Sequence, residues 1–248
     1  MRNRLTSLIW LRSQQLISNP QYLILIFMPY VFTFIYKYLF SEEGSDQSFI
    51  VLICLPMLFG ISLGNLITST IAEEKEKNNL RGLILAGVTG IEYIISSLFF
   101  PAVLGVLGII LIPVLIGNVQ FVNGYGNYLM ISLITALVIA LINLLIGLNV
   151  KTVNQAQIIS LPIMMLTMLL PMLSLVDPVV ERINEYSFMG SFAKLFSQDF
   201  NPIHTNPAFY ILLIWLAIFL VLNTISFKNN LDIRVSKLNN LNKKVRVK

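Results

Sequence analysis

The densest group of ionisable side chains in this 248-residue chain is a run of five at residues 73–77, between two long apolar stretches. On a helix, residues four apart lie on one face. Glu73 and Lys77, and then Lys77 and Arg81, therefore form a continuous charged face. Charges in this arrangement bind one another and the charged groups of a partner, so the chemistry that this run predicts is recognition.

An apolar edge runs beside the charged face. Leu80, Leu83 and Ile84 recur at the spacing of one side of a helix. A solvated loop has no need of such an edge. We expect a short amphipathic helix over about residues 72–88 that stands in water and buries the edge against another protein.

Residues suited to catalysis are few. His204 is the only histidine and Cys54 the only cysteine, so neither has companions for a metal site or for a nucleophile and base pair. The glycine-rich loop that cradles nucleotide phosphates, Gly-x-x-x-x-Gly-Lys-Ser/Thr, does not occur in the sequence. We predict a chain that has no catalytic or metal-binding residues, is not an enzyme and binds no cofactor itself.

The chain that carries these residues is mostly apolar. Hydrophobic residues make up 56% of it, charged residues 12%, and the mean hydropathy is +0.78, which is typical of polytopic membrane proteins. A helix needs about 20 apolar residues to cross a bilayer. Six stretches are that long: Gln21–Phe40, Phe49–Ile71, Ile94–Gly117, Asn127–Asn149, Gln157–Val176 and Ala208–Phe227. The sequence predicts an all-α fold with six transmembrane helices in one domain, residues 20–227.

Lysine and arginine indicate the orientation, because the cytoplasmic segments of membrane proteins are enriched in them. With both termini inside, the cytoplasmic segments hold fourteen of the seventeen cations: Arg2, Arg4, Arg12, Lys75, Lys77, Arg81, Lys151, Lys228, Arg234, Lys237, Lys243, Lys244, Arg246 and Lys248. The reverse orientation would place all fourteen outside. We therefore expect both termini in the cytoplasm.

Residues 1–19 are predicted to form an amphipathic helix in the cytoplasmic membrane interface. Its apolar face consists of Leu5, Leu8, Ile9 and Leu16. Arg12 falls on the same face, and we expect its long side chain to snorkel to the headgroups. Asn19-Pro20 then starts the first span, because Asn caps helices and Pro favours their first turn.

Two further segments lie outside the spans. The loop over residues 177–207 carries apolar side chains at helical spacing: Phe188, Phe192, Leu195 and Phe196. We expect two short outer helices there, lying at or dipping into the membrane surface; an ordinary apolar loop packed on the bundle is the alternative. Residues 228–248 form a basic cytoplasmic tail suited to anionic lipid headgroups.

The six spans contain no Asp, Glu, Lys, Arg or His apart from Lys37 at an outer end. Ion-coupled carriers keep ionisable groups within the membrane, so coupling to an ion gradient is not expected. Polar side chains such as Asn65 and Thr68 can line a substrate path or can hydrogen-bond between helices. Tyr30 and Phe34, one turn apart in an aromatic-rich span, offer large surfaces to an apolar substrate or to lipid.

The run from Ile71 to Glu76, followed by five further positions, resembles the inner loop of type-2 ATP-binding-cassette (ABC) exporter permeases. Those positions are Leu80, Leu83, Ile84, Leu85 and Glu92. In that family the loop forms the coupling helix that docks into the ATPase subunit. The layout is similar too, with an N-terminal amphipathic helix, six spans and a long outer loop. The chain departs from the family at Asn78-Asn79, where Gly-Thr is common, and at Arg81, where an acid is common.

The resemblance implies a non-catalytic permease of the bacterial plasma membrane, with ATP and Mg²⁺ held by two copies of a partner ABC ATPase. It implies a second permease copy or a homologous permease, surrounding lipids, and no nucleic acid. The ATPase-coupling residues would be Glu73, Glu74, Lys77, Leu80, Arg81, Leu83, Ile84 and Leu85.

The substrate of such a permease is expected to be amphipathic or hydrophobic. Size, the lack of a soluble domain and the basic tail are similar to those of the small permeases of bacterial peptide exporters, which makes an amphipathic peptide the expected substrate. The candidate substrate path is Tyr30, Phe34, Asn65 and Thr68. Export of a polysaccharide or a drug is the alternative, and so is a non-transporting six-span sensor or assembly protein.

Overall fold

The computed structural model of the chain describes residues 2–40, 47–77, 79, 82–83, 87–117, 119, 121, 124–173, 177–197 and 206–246. Within these ranges the regular structure is entirely helical, which confirms the all-α prediction. The helices, in chain order, are α1 (Arg2–Ser18), α2 (Pro20–Leu39), α3 (Ser48–Glu76), α4 (Gly90–Ile116), α5 (Gly124–Asn149), α6 (Val153–Leu173), α7 (Pro178–Asn184), α8 (Phe188–Ser197) and α9 (Pro207–Arg246).

Six of these helices are long and apolar enough to cross a membrane: α2 to α6 and the Pro207–Phe227 part of α9. This confirms the six predicted spans. Their bounds differ most at α3, which continues five residues beyond the predicted end at Ile71. The last helix also continues past its span to Arg246, through most of the predicted tail.

Side chains that cap helices explain where several spans begin. The Asn19 side chain accepts a hydrogen bond from the backbone N–H of Gln21, 3.1 Å away, at the start of α2. Thr89 and Glu92 form a complete capping box before α4. Asn206 accepts from the N–H of Ala208 over 2.8 Å and starts α9. Local sequence therefore determines these helix starts.

The central helix of the bundle is α3. Within its most apolar window 94% of the residues are buried, against 17% in α2 and in the span of α9 and 22% in α6. The middle of α3, Leu58–Asn65, is π-helical, with hydrogen bonds from each residue to the fifth residue along. The spans α2, α4, α5 and α6 pack around α3, while α9 packs on α5 and α8. Many large apolar side chains of the outer spans are exposed.

The N-terminal helix α1 packs against α2 and α4. Leu8, Arg12 and Leu16, spaced four apart, are buried on one side, while Trp10 and Ile17 are exposed. The predicted apolar face is therefore real and is covered by the bundle. The exposed Trp10 is of the residue type that membrane interfaces favour.

The two short helices predicted between the fifth and sixth spans are α7 and α8. The prediction of two short helices is confirmed. On α8, Phe192 and Leu195 are fully buried against α5, α6 and α9, so the apolar face of this helix packs on the bundle. The position of the two helices at the membrane surface stays a prediction. The Trp215 indole on α9 also donates to the carbonyl of Tyr186, 2.8 Å away, in the turn between α7 and α8.

The bundle has two distinct ends. The charged end contains residues 73–77 and the starts of α4 and α6. The opposite end, which we call the aromatic end, contains α8 and the start of α5, where Phe121, Tyr128 and Phe196 contact one another.

Candidate functional site

Four consecutive residues at the charged end of α3, Glu73 to Glu76, each bond to a different part of the bundle. We call this set of contacts the hub. The most buried contact joins Glu74 to Arg12 of α1, with oxygen–nitrogen distances of 2.5 and 2.8 Å. Both side chains are almost inaccessible, at 2% and 4% relative exposure. Two opposite charges thus neutralise each other inside the protein.

The Arg12 guanidinium has further partners in α4. It donates to the Ser97 hydroxyl over 2.7 Å, and it lies 5.4 Å from the centre of the Tyr93 ring, within the range of a cation–π interaction. The expectation that Arg12 snorkels to the headgroups is therefore wrong. Its side chain is directed into the bundle, where a partner charge and a hydroxyl satisfy its donors.

Glu73 connects α3 to α2. It accepts a hydrogen bond from the Tyr22 hydroxyl on one side and pairs with the Lys77 ammonium 2.5 Å away on the other. The predicted contact between Glu73 and Lys77, one turn apart, is confirmed. The hydrogen bond from Lys77 to the Glu73 carboxylate raises the pKa of Lys77, so this exposed side chain stays charged.

Lys75 and Glu76 bind the ends of two other helices. The Lys75 ammonium donates to carbonyls at the C-terminal end of α5, those of Gly147 and Val150, at 2.8 and 3.0 Å. The Glu76 carboxylate accepts from the N–H of Val153 at the start of α6, 2.7 Å away. Each charge matches the helix end it meets, because free carbonyls attract cations and free N–H groups attract anions.

The hub changes which residues are available to a partner. Residues 72–76 are the last turns of α3, and Glu74, one of the predicted coupling residues, is buried there. Glu76, Lys77 and Asn79 are exposed, and Asn79 is helical. Leu83 is also helical and half-buried. Leu80, Arg81, Ile84 and Leu85, four of the predicted coupling residues, lie outside the described residues.

The candidate substrate-path residues are not all placed alike. Phe34 is 57% exposed on α2, while Tyr30, on the same helix, is half-buried. Asn65 is half-buried in the π-helical segment, where its side-chain oxygen accepts from Ser69. Thr68 is fully buried, and its hydroxyl lies 3.0 Å from the side-chain oxygen of Asn143 on α5. Thr68 is therefore an interhelical contact in this structure.

Sequence reasoning missed the partners of the hub. Arg12 and Glu74 are 62 positions apart, and no local spacing connects them. One signal was present, however. A single arginine in the middle of an otherwise apolar helix face needs a buried partner as much as a route to solvent, and the acidic residues at 73–76 were expected on the same side of the membrane as Arg12.

In the described residues, no group of three or more His, Cys, Asp or Glu could hold a metal ion. The charges of the hub are used in bonds between helices. What this arrangement can do is mechanical: it fixes the end of α3 to α1, α2, α4, α5 and α6 at once.

The six spans and the hub define a multi-pass membrane protein with a central helix fixed to its neighbours by charge. A model of the ABC-2 type transporter family matches residues 3–172, which include the whole hub. The chain belongs to that family. No curated protein and no solved structure matches it.

Membership of this family makes the chain a membrane permease of an ABC exporter, a class that works with an ABC ATPase. The match covers α1 to α6, except for the first residue of α1 and the last residue of α6. It agrees with the resemblance seen in the inner loop of the sequence.

Proposed function

We propose that the chain is driven by a separate ABC ATPase, which binds ATP and Mg²⁺ and docks on the segment from Lys77 to about residue 88. The observation that carries this proposal is the hub. The segment follows directly on four residues that bond α3 to α1, α2, α5 and α6 and, through Arg12, to α4, so a force applied to it reaches most of the bundle. A solvated loop would need no such connections.

The charges also support the orientation. Fourteen of the seventeen cations lie in the termini and in the two loops at the charged end. We therefore place both termini and the hub on the cytoplasmic side of a bacterial plasma membrane, where an ATPase has access. A cysteine at Ser45 should be labelled from outside in intact cells and one at Asn239 should not. Labelling at Asn239 alone would reverse this orientation.

The exposed surfaces favour assembly with a second permease. Two spans that contact the central α3, α2 and α6, leave most of their residues outside the buried core. A second copy or a homologous permease can cover one such surface, with the substrate moving between the two. Two ATPases then serve the two permeases.

The proposed substrate is an amphipathic or apolar peptide, such as the helical phenol-soluble modulins. Tyr30, Phe34 and Asn65 are the candidate contacts, because they lie in the two helices α2 and α3 and retain exposed surface. Aromatic surfaces bind apolar groups with few polar demands. If the reconstituted complex responds to a soluble polysaccharide or a drug and not to amphipathic helical peptides, the peptide assignment is wrong.

Co-purification tests the docking proposal. Replacing Leu83 with Asp places a charge in the apolar contact, and we expect the ATPase to be lost and export to stop while the permease still inserts into the membrane. The matched control is Leu83→Met, which keeps an apolar side chain of similar size and should retain both. Full export and full co-purification by Leu83→Asp would refute docking at this segment.

A further inference from the structure

The π-helical segment of α3 lies between two halves that are fixed in different ways. The charged-end half contains the hub, whose ion pair and hydrogen bonds fix it to the neighbouring helices. The half towards the aromatic end is packed by apolar contacts with α2, α4 and α6. Any movement of one half relative to the other must be absorbed between them, in Leu58–Asn65.

The π winding places two leucines of α3 against α4. Leu58 and Leu63 are five residues apart, and in an α-helix they would point about 140° away from each other. Bonding to the fifth residue brings them towards one side. Both leucines indeed lie on α4: a Cβ added at Gly108 would lie 2.3 Å from Leu58, and one added at Gly105 would lie 2.6 Å from Leu63.

Gly105 and Gly108 are three residues apart, so they share one face of α4. A Cβ at either position would force the leucine opposite to move, since it would meet a terminal methyl group of that leucine at well below contact distance. The π-helical winding of α3 thus places its two leucines at the two glycines of α4. If the segment became α-helical, one leucine would leave its glycine.

Other helices also approach the segment closely. The Ser62 hydroxyl donates to the Leu25 carbonyl of α2 over 2.7 Å. A Cβ added at Gly60 would lie 3.1 Å from Met164 of α6. The segment is thus held by the shape of its neighbours, because π-helical bonding is less favourable than α-helical bonding and seldom persists without such support.

Pro56, just before the segment, interrupts the α-helical hydrogen bonds of α3 a second time. Proline has no backbone N–H, so the bond it would make to the preceding turn is absent. Two adjacent interruptions of the α-helical ladder, in the most buried helix of the bundle, mark the place where α3 bends at least cost.

We propose that Leu58–Asn65 is the hinge of α3, at which the charged-end half changes its orientation during transport as Leu63 leaves Gly105. The proposal rests on the proposed function for its driving force, since docking of the ATPase moves the hub. The local event involves α3 and α4 alone and can be tested by itself.

A disulfide between the two helices tests the hinge. The Cβ of Leu63 lies 4.0 Å from a Cβ added at Gly105, within the range of about 3.5–4.5 Å that disulfides need. Leu63→Cys and Gly105→Cys are introduced together in a Cys54→Ala background and oxidised with copper phenanthroline. In the complex with the ATPase, we expect ATP-driven export of a labelled amphipathic helical peptide to fall at least tenfold and to recover on reduction.

The matched control joins α3 to α5 on the hub side of the hinge. The Cβ of Ile71 lies 3.2 Å from a Cβ added at Gly147, so Ile71→Cys with Gly147→Cys should also cross-link. This separation is slightly below the range that disulfides need, so the two helices must move apart by a few tenths of an ångström for the bond to form. Because these residues move together, export by the oxidised control should stay within twofold of export by its reduced form. Unchanged export by the oxidised Leu63–Gly105 pair would overturn the hinge, as would failure of that pair to cross-link.

Hydrogen exchange of the permease alone separates failure of the hinge from failure of the proposed function. We expect backbone amides of residues 58–65 to exchange at least tenfold faster than those of residues 66–72 in the same helix. Equal protection overturns the hinge whether or not an ATPase binds. If fast exchange is found and the Cys54→Ala parent binds no ATPase, the hinge stands and the proposed function fails.

Discussion

Different kinds of interaction stabilise the two ends of the bundle. At the charged end, the bonds are directional and join charges, as in the Arg12–Glu74 pair. At the aromatic end, rings contact rings: Phe121 stacks on Tyr128, with 4.1 Å between ring centres, and Tyr128 meets Phe196 edge to face, with 6.0 Å between ring centres. A charge pair loses most of its energy when its geometry is broken, whereas ring contacts tolerate displacement. If α3 bends at the proposed hinge, we therefore expect the charged end to move as one body and the ring contacts of the aromatic end to adjust.

The largest expected effect is at the charged end. Arg12→Ala leaves Glu74 buried without a counter-charge, which should lower the free energy of unfolding by about 3–5 kcal/mol. Unfolding of the purified protein in detergent measures it. The double variant Arg12→Met, Glu74→Leu removes both charges and should recover most of the loss. Wild-type stability in Arg12→Ala would mean that the buried pair contributes nothing and that the two ends do not differ in this way.

A steric change should have the next largest effect, at the aromatic end. A Cβ at Gly190 would lie 1.8 Å from the backbone oxygen of Asn184, so Gly190→Ala must push α8 away from α7. We expect a loss of about 1–3 kcal/mol in the free energy of unfolding. Gly126→Ala is the control, because nothing lies within 4 Å of its added Cβ. If the two variants have the same free energy of unfolding, the packing of α8 is looser than the structure shows.

A smaller loss is expected when one ring contact is removed. Phe192 meets Phe59 of the π-helical segment edge to face, with 6.2 Å between ring centres. Phe192→Leu keeps an apolar side chain and should cost about 1 kcal/mol. A double-mutant cycle with Phe59→Leu isolates the pair. A coupling energy as large as that of the Arg12–Glu74 pair would remove the contrast between the ends.

The smallest effect concerns the exposed charge next to the hub. Lys77→Ala removes the pair with Glu73, one turn apart, and should cost about 0.2–0.5 kcal/mol at low salt. Since solvent screens this pair, the difference should vanish in 1 M salt. The effect of Arg12→Ala should persist there. An equal salt dependence of the two variants would show that Arg12 is in fact solvated.

Much of the fold follows from the sequence because it depends on local signals. Apolar length predicts the six spans, and Asn19 predicts a helix start that the structure confirms. The burial of Arg12 and its partner could not be predicted in this way. Helical spacing gives its face, but its partner comes from a helix 62 positions away.

The same reason explains the other differences. The end of α3 was expected at Ile71 because charges follow it, yet those charges are bonded inside the bundle, so the helix continues to Glu76. The π-helical segment has no signature in composition, since it arises from how Leu58 and Leu63 fit α4. Docking on the ATPase and the substrate path stay predictions.

The hub also has a consequence for how the chain is made. All its residues, from Arg12 to Val153, lie in the first 153 of 248 positions. At a synthesis rate of about 5–20 residues per second, the remaining 95 residues (248 − 153) take about 5–20 s to add. The charged end can therefore assemble before α9 exists, and α9 then docks on a body formed by α5 and α8. The order in which the helices are synthesised is therefore also the order in which they can assemble.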